Sequence, residues 1–412
     1  MARGHGRAAF AFIFVTVVID MLALGVIVPV LPKLIVAFRG GDTASGATYV
    51  GIFGTVFAAM QFLFSPVLGS LSDQYGRRRV ILLSCAGLGL DYLLMASAPS
   101  LWWLFVGRVI SGITSSTYGT ASAYIADVTP PEQRAAKFGM LGVAFGVGFI
   151  IGPSVGGLLA GISLRAPFWG AALLCLANAA YGYFVLPESL PEDRRSPFRW
   201  TSANPAGALA LLRSHPQLFA LAVAGFLSML AHDAAPSTFV LYTSWRYGWN
   251  ERTIGLVLAL VGVTSMIVQG GLVGRIVSAL GEKGALAFGL LCGAVGNAVF
   301  GLAPTGTGFL IGIPITAFYG LANPALQSLM TRRVSADEQG RLQGAVGSLL
   351  MGMTSMLAPV LFTQAFAAAI GPYLGWGIPG APFLIAALLL VGAAVVAFRA
   401  VAHPSPATAE VQ

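Results

Sequence analysis

The sequence predicts an all-α integral membrane protein of twelve transmembrane helices, set out as two pseudo-symmetric halves of six. Three observations lead there. The 412 residues are 57% hydrophobic and only 9% charged, with a mean hydropathy of +0.82. Apolar runs of about 20 residues, the length a helix needs to cross a bilayer, recur along the whole chain. Matching residues also recur at about half the chain length, as described below.

Span 1 covers 8–30: the run Phe12–Ile19 leads to Asp20, then Gly25, and ends in Val28-Pro29-Val30-Leu31-Pro32. No small-residue cleavage site follows, so it reads as a retained first helix. Span 2 covers 48–70 and ends at a short charged loop. Spans 3 and 4, 80–98 and 101–124, share an outer turn near Pro99. Spans 5 and 6 cover 138–160 and 166–186. A polar, proline-bearing segment then carries Glu188, Glu192, Asp193, Arg194, Arg195 and Arg199, too short for a domain. Spans 7 to 12 cover 216–241, 253–274, 284–303, 308–330, 342–368 and 378–400. The tail with Pro404, Ser405 and Pro406 reads as disordered. The predicted organisation is thus a six-helix half 1–187, a cytoplasmic linker 188–215, a second half 216–400 and a tail 401–412.

The net charge of +8 does not indicate a nucleic-acid partner, because the basic residues are scattered over short loops and form no patch. Their distribution reports topology instead. Lys33, Arg39, Arg165, Arg246 and Arg252 fall on one side and Arg108 lies inside span 4, which leaves 17 of the 23 on the side of the termini. That bias places both termini in the cytoplasm, as expected of a multi-pass bacterial inner-membrane protein. Cys85, Cys175 and Cys292 all fall in spans and read as small buried residues without a disulfide framework.

The repeat is visible at several points. Gly69 and Gly76 bracket the loop after span 2, and Gly274 and Gly281 bracket the loop after span 8, 205 residues later. Glu132-Gln133 recurs as Glu338-Gln339 and Pro153 as Pro359, both offset by 206. An even number of spans between copies makes this a parallel repeat about an axis along the membrane normal.

Charges inside a membrane are costly, so each marks a functional candidate. Asp91 and Arg108 lie 8 and 9 residues from Pro99, so their depths differ by about 2 Å at a helical rise of ~1.5 Å per residue. They are placed to pair across the span 3–4 hairpin, as a structural ion pair or as one that proton or substrate binding breaks. Desolvation favours the neutral form of a carboxyl and a neighbouring guanidinium the charged form, a balance that suits proton uptake and release. Asp20 has no basic neighbour in its own helix, which fits a proton carrier or a neutral acid bonded to another helix. His232 and Asp233 are adjacent in span 7, about 100° apart on a helix, so they face different surroundings.

Two motifs remain. The loop Gly69-Ser70-Leu71-Ser72-Asp73-Gln74-Tyr75-Gly76-Arg77-Arg78-Arg79 puts an acid and three arginines within seven residues. Asp73 and Arg77, four apart, suit a latch that holds one state and opens in another; Arg78 and Arg79 suit simple inner-face anchors. In span 5, Gly148-Phe149-Ile150-Ile151-Gly152-Pro153-Ser154-Val155-Gly156-Gly157 gives a smooth face for close helix contact, with Pro153 removing one backbone hydrogen bond.

The charged loop resembles the loop signature of the major facilitator superfamily, and the span-5 string resembles that of its antiporters. More narrowly, the chain resembles the twelve-helix tetracycline-resistance efflux proteins of Gram-negative bacteria over nearly its whole length. The likeness rests on Asp20 with Val28–Pro32, Ser65–Gly69, Asp91-Tyr92, Gly107-Arg108, Ala123–Asp127, Ala166–Phe168, Leu186–Ser189, Thr253–Gly255, Pro324–Gln327 and Gln339–Gly344. It implies proton coupling at Asp20, Asp91 and Arg108, a gating latch at Asp73 and Arg77, and substrate binding at Gln269 of span 8. Gln61, Asn323 and Gln327 join Gln269 as the polar side chains of an otherwise apolar drug path. Three positions depart from the family pattern: Ser265 stands for a span-8 histidine, Gly293 for a span-9 aspartate and Gly89 for a span-3 asparagine. In the family those groups serve the proton path and the recognition of a metal–tetracycline chelate.

The resemblance implies proton-driven export of an amphipathic drug by a monomer in the bilayer, with a central site opening alternately to each side. The proton is the coupling ion, no cofactor is held permanently, and Mg enters as part of a metal–tetracycline substrate. The alternatives are an exporter of another small molecule (multidrug, amphenicol or metabolite), an importer, and a membrane sensor. An enzyme is poorly supported: there is no nucleotide loop, metal-ligand cluster or nucleophile motif.

Overall fold

The computed structural model describes residues 2–197, 216–335 and 350–402, with 339, 342 and 346 as single positions between them. All of the predicted tail beyond residues 401 and 402, which close the last helix, and most of the predicted linker lie outside the described residues, as do Glu338 and Arg341. Among the described residues there is no strand, and ten helical stretches are long and apolar enough to cross a bilayer. Ten becomes twelve by two corrections: the stretch 251–302 holds two spans divided at Gly281, and the broken helix 101–128 forms one further span.

The helices are α1 (Ala2–Ile27), α2 (Leu31–Phe38), α3 (Thr43–Tyr75), α4 (Arg77–Ser97), α5 (Leu101–Thr114), α6 (Thr117–Val128), α7 (Pro131–Ala160) and α8 (Ala166–Val185). After residue 215 come α9 (Pro216–His232), α10 (Ala234–Tyr247), α11 (Glu251–Ile267), α12 (Val273–Leu302), α13 (Gly306–Ala317), α14 (Ala322–Thr331), α15 (Gly352–Ile370) and α16 (Ala381–Ala402). Span 1 was expected to end near residue 30. Instead an apolar helix, α2, continues to Phe38, with Pro32 in its first turn, where the missing N–H costs nothing.

Spans 1, 4, 7 and 10 are each interrupted, and local chemistry explains each break. In span 1, Pro29 and Pro32 cannot donate to the carbonyls of Gly25 and Val28, and α1 gives way to a turn before α2. In span 7, Pro236 cannot donate to His232, and Asp233 relaxes to φ −75°, ψ −3° between α9 and α10. In span 10, Pro314 and Pro324 flank a 3-10 turn, Phe318–Leu321. Span 4 contains no proline. There Thr114-Ser115-Ser116-Thr117 offers hydroxyls that compete with helical bonding. Ser115 adopts φ −75°, ψ 69°, and Ser116 N donates to Thr114 O at 2.8 Å, an inverse γ-turn.

By packing, the chain divides into a unit of 1–42, 56–203 and 249–262 and a unit of 43–55, 204–248 and 263–412. The first has a core of Phe10, Ile13, Val17 and Met21 from one face of α1 against Ile81 and Cys85 of α4, Tyr124 and Ile125 of α6, and Leu141 of α7. The second is centred on Leu218, Leu221 and Ala224 of α9 with Leu286 and Leu290 of α12, Leu326 of α14 and Leu390 of α16. Gly76 (φ 99°) and Gly281 (φ 67°) both take left-handed backbone, so the repeat at offset 205 is a repeat of turn geometry as well as of letters.

Candidate functional site

In the first unit, the two helices of the span 3–4 hairpin bring Asp91 and Arg108 together. Arg108 Nη2 lies 3.2 Å from Asp91 Oδ2, with the acid fully buried and the arginine nearly so. Arg108 also approaches Met95 Sδ at 3.4 Å and lies over the ring of Phe57 at 5.5 Å, a cation–π contact. Gly107 makes the approach possible, because a Cβ there would lie 2.6 Å from Asp91 Oδ1. The pair is incompletely satisfied: among the described residues Asp91 Oδ1 and Arg108 Nε have no hydrogen-bond partner. Asp20, on α1, is buried at 5% exposure, and its Oδ1 is likewise unpartnered among the described residues. Buried polar atoms normally find a partner, so these three stand out as exceptions.

Gln61 of α3 attends the break in span 4. Its Nε2 donates to Ser115 Oγ at 3.1 Å and reaches Ser115 O at 3.4 Å, so it engages a carbonyl at the γ-turn. At membrane depth, side chains are what re-satisfy backbone freed by a broken helix.

In the second unit, His232 closes α9 and Asp233 occupies the break itself. The His232 ring stacks on Tyr319 at 5.4 Å with 17° between planes. Tyr319 Oη donates to Ser228 O at 2.9 Å and lies 2.8 Å from Ser228 Oγ, which must then be the donor to it. Gln269 sits in a widened π turn, Val268–Leu272, a feature that re-aims side chains and often marks functional sites. It packs on the bare backbone of Gly320, where a Cβ would stand 3.1 Å from Gln269 Cγ. Asn323 and Gln327, one turn apart on α14, line a depression of about 250 Å³ with Met229, Leu326 and Met330.

The structure also explains two of the family departures. A side chain at Gly293 would meet Tyr319 Cδ2 at 2.8 Å and Leu390 Cδ1 at 3.0 Å, so the tyrosine fills the room an acid would need. A side chain at Gly89 would meet Leu176 Cδ2 at 2.7 Å.

The glycines of span 5 pack backbone on backbone. A Cβ at Gly148 would lie 2.5 Å from Met21 Cβ, and one at Gly152 would lie 2.7 Å from Gly25 Cα, both on α1. Gly156 abuts Val26 O. Gly157 faces the start of α11 at Glu251 and Arg252, in the same unit. There Lys33 Nζ pairs with Glu251 Oε1 at 2.9 Å and donates to Trp249 O at 2.9 Å. Pro153 is accommodated inside α7.

The charged loop forms a dense cluster. Arg77 bonds Asp73 Oδ1 at 2.6 Å, Asp127 Oδ2 at 3.2 Å and Ser72 Oγ at 2.6 Å. Sequence reasoning did not assign Glu188 here. Its Oε1 accepts from Arg77 N at 2.9 Å, Ser189 N at 3.0 Å and Leu190 N at 3.1 Å, placing a negative charge on the N-terminus of α4. It also occupies the space a Cβ on Gly76 would need. Gly69 has no such constraint: nothing lies within 4 Å of a Cβ built there, and its carbonyl accepts from Ser72 Oγ at 2.7 Å.

The second unit repeats the cluster with its signs exchanged. Glu282 follows Gly281 as Arg77 follows Gly76. It pairs with Arg332 Nη2 at 2.7 Å and accepts from Ser328 Oγ at 2.7 Å. Residues 77 and 127 map onto 282 and 332 at the offset of 205 that relates the two glycines, so an Arg–Asp pair becomes a Glu–Arg pair.

Comparison with known proteins agrees with this architecture. The family model described as Major Facilitator Superfamily matches residues 13–359. The chain is 36% identical over 379 residues to the tetracycline resistance protein, class C, of Escherichia coli, covering 92% of this chain and 95% of that protein. It is 36% identical over 376 residues to the class G tetracycline resistance protein of Vibrio anguillarum, covering 90% and 93%. Among solved structures, the human organic anion transporter MFSD10 (TETRAN) superposes with a TM-score of 0.69 at 23% identity, covering 95% of this chain and 99% of that one.

Proposed function

The chain belongs to the major facilitator superfamily, and we propose that it is a proton-coupled exporter of tetracycline-like amphipathic drugs, working by alternating access in the bacterial inner membrane with both termini cytoplasmic. The observation that carries the proposal is the buried, under-satisfied set Asp20, Asp91 and Arg108 in a chain so similar to tetracycline resistance proteins. Asp91 can lose its hold on Arg108 when it takes a proton, and Asp20 offers a second carboxyl free to do so. A drug held by polar side chains, Gln61 in the first unit or Gln269, Asn323 and Gln327 in the second, competes with these protonation states for the same conformations, which is the requirement for exchange. A tetracycline arriving as its Mg chelate is substrate in full, metal included. The chain acts as a monomer and contributes no chemistry to the drug.

The test is tetracycline resistance together with pH-gradient-driven tetracycline uptake into inverted vesicles, comparing wild type with Asp20→Asn. The expected result is uptake that needs both the gradient and Asp20. Absence of tetracycline transport by well-expressed wild type would overturn the substrate assignment.

A second reading, a related exporter of another small molecule, is favoured by Ser265, Gly89 and Gly293, which replace polar groups of the family pattern. It would be supported by pH-driven transport of cationic or amphenicol drugs but not tetracycline.

Span 7 supplies the proton site that span 9 lacks. His232→Ala and Asp233→Asn are each expected to flatten the dependence of transport on the pH gradient while leaving expression intact. Unchanged pH-dependent transport in both variants would remove span 7 from the proton path.

A further inference from the structure

On the second unit, α12, α14 and α16 enclose a groove of about 220 Å³ that no part of the transport reading uses. Lys283, Leu286, Ala287 and Leu290 line it at i, i+3, i+4 and i+7, one face of the helix that follows Gly281. Leu329, Ala394, Ala397 and Phe398 complete its lining. The small alanines create the depression, and apart from the lysine the lining is wholly apolar. The groove has room for water, yet its walls offer water almost nothing to bond. Hydrocarbon is the fitting content.

The mouth of the groove is cationic. Lys283 is exposed and makes no ion pair with the described residues, since the neighbouring Glu282 is engaged by Ser328 and Arg332. The lysine also stands in the first turn of helix after Gly281, where the helix dipole disfavours a cation. An anion over that turn relieves both charges. By the distribution of lysine and arginine this end of the spans is cytoplasmic. The lining from Lys283 to Leu290 rises about 10 Å at ~1.5 Å per residue, well within a leaflet some 15 Å deep.

We infer that this groove binds one acyl chain of an inner-leaflet phospholipid whose anionic headgroup rests on Lys283. A basic group at the cytoplasmic edge of an interhelical groove is the arrangement that retains anionic lipids.

The test is native mass spectrometry of the full-length protein with phosphatidylglycerol or phosphatidylcholine of identical chains. One lysine near a headgroup corresponds to about a fivefold preference for the anionic lipid. Wild type is expected to show it. Lys283→Gln should lose the preference yet retain weak binding of both lipids, and Ala287→Phe, which fills the groove, should bind both less. Arg79→Gln, a surface cation elsewhere, should leave the preference intact. The inference is overturned if wild type does not discriminate, if Lys283→Gln still prefers phosphatidylglycerol, or if Arg79→Gln abolishes the preference equally. Lys283→Gln alone decides the matter should Ala287→Phe fail to fold.

Discussion

Arg108→Ala is expected to abolish drug transport and to destabilise the protein by about 3–5 kcal/mol, because it leaves a buried carboxylate without its counter-charge. Asp91 is fully enclosed, and Arg108 is the only ion-pair partner the described residues give it. The double variant Asp91→Asn with Arg108→Gln removes both charges while keeping a polar group at each position, the glutamine being shorter than the arginine. It should regain most of the lost stability, since replacing both members of a buried pair is often close to neutral. It should remain inactive, because a carboxamide cannot take up a proton. Thermal unfolding in detergent measures the first effect and vesicle uptake the second. Wild-type transport by Arg108→Ala would show that the pair only holds the span 3–4 hairpin together.

The second large effect belongs to the glycines of span 5. At Gly152 an added side chain collides with backbone, Gly25 Cα at 2.7 Å and Leu22 O at 2.9 Å, so no rotamer change relieves it. Gly152→Leu should force α1 and α7 apart, cost at least the ~1–3 kcal/mol typical of overpacking, and sharply reduce folded protein. Gly157→Leu presses instead on Glu251 and Arg252 at the start of α11, beside the Lys33–Glu251 ion pair. This collision is with backbone too, but at a helix start that follows the irregular segment 248–250, which can yield, so Gly157→Leu should keep more folded protein than Gly152→Leu while transporting at least tenfold more slowly. Gly142→Ala, in the same helix with nothing within 4 Å of the added carbon, should be silent or slightly stabilising. Equal behaviour of all three in expression and uptake assays would deny the string any specific packing role.

Much of this molecule was legible before its structure, for physical reasons. A bilayer demands about 20 apolar residues per crossing, so the spans declare themselves by composition. The Asp91–Arg108 pair was legible because both residues lie equally far from one tight turn. The breaks were less so. Prolines announce those in spans 1, 7 and 10, but span 4 breaks on a run of hydroxyls at 114–117, a weaker signal. Glu188 was illegible because its role depends on how a loop folds back onto α4. Tyr319 looked like any apolar aromatic until its hydroxyl was seen on Ser228. The Glu282–Arg332 pair could have been found by carrying residues 77 and 127 forward by 205, but a search for like charges passes over a pair whose signs are exchanged.

The interruptions of spans 1, 4, 7 and 10 have a mechanical meaning as well as a chemical one. An unbroken helix in hydrocarbon resists bending, because each backbone bond opened there costs several kcal/mol with no water to replace it. At these four places the i→i−4 ladder is already severed, by proline or by the γ-turn at Ser115. Each such span is therefore two helical arms meeting at a joint, where fewer backbone bonds resist bending than within either arm. Every third span carries such a joint, and the side chains assigned to protons and drug sit on or against those spans, where a small swing displaces them most directly.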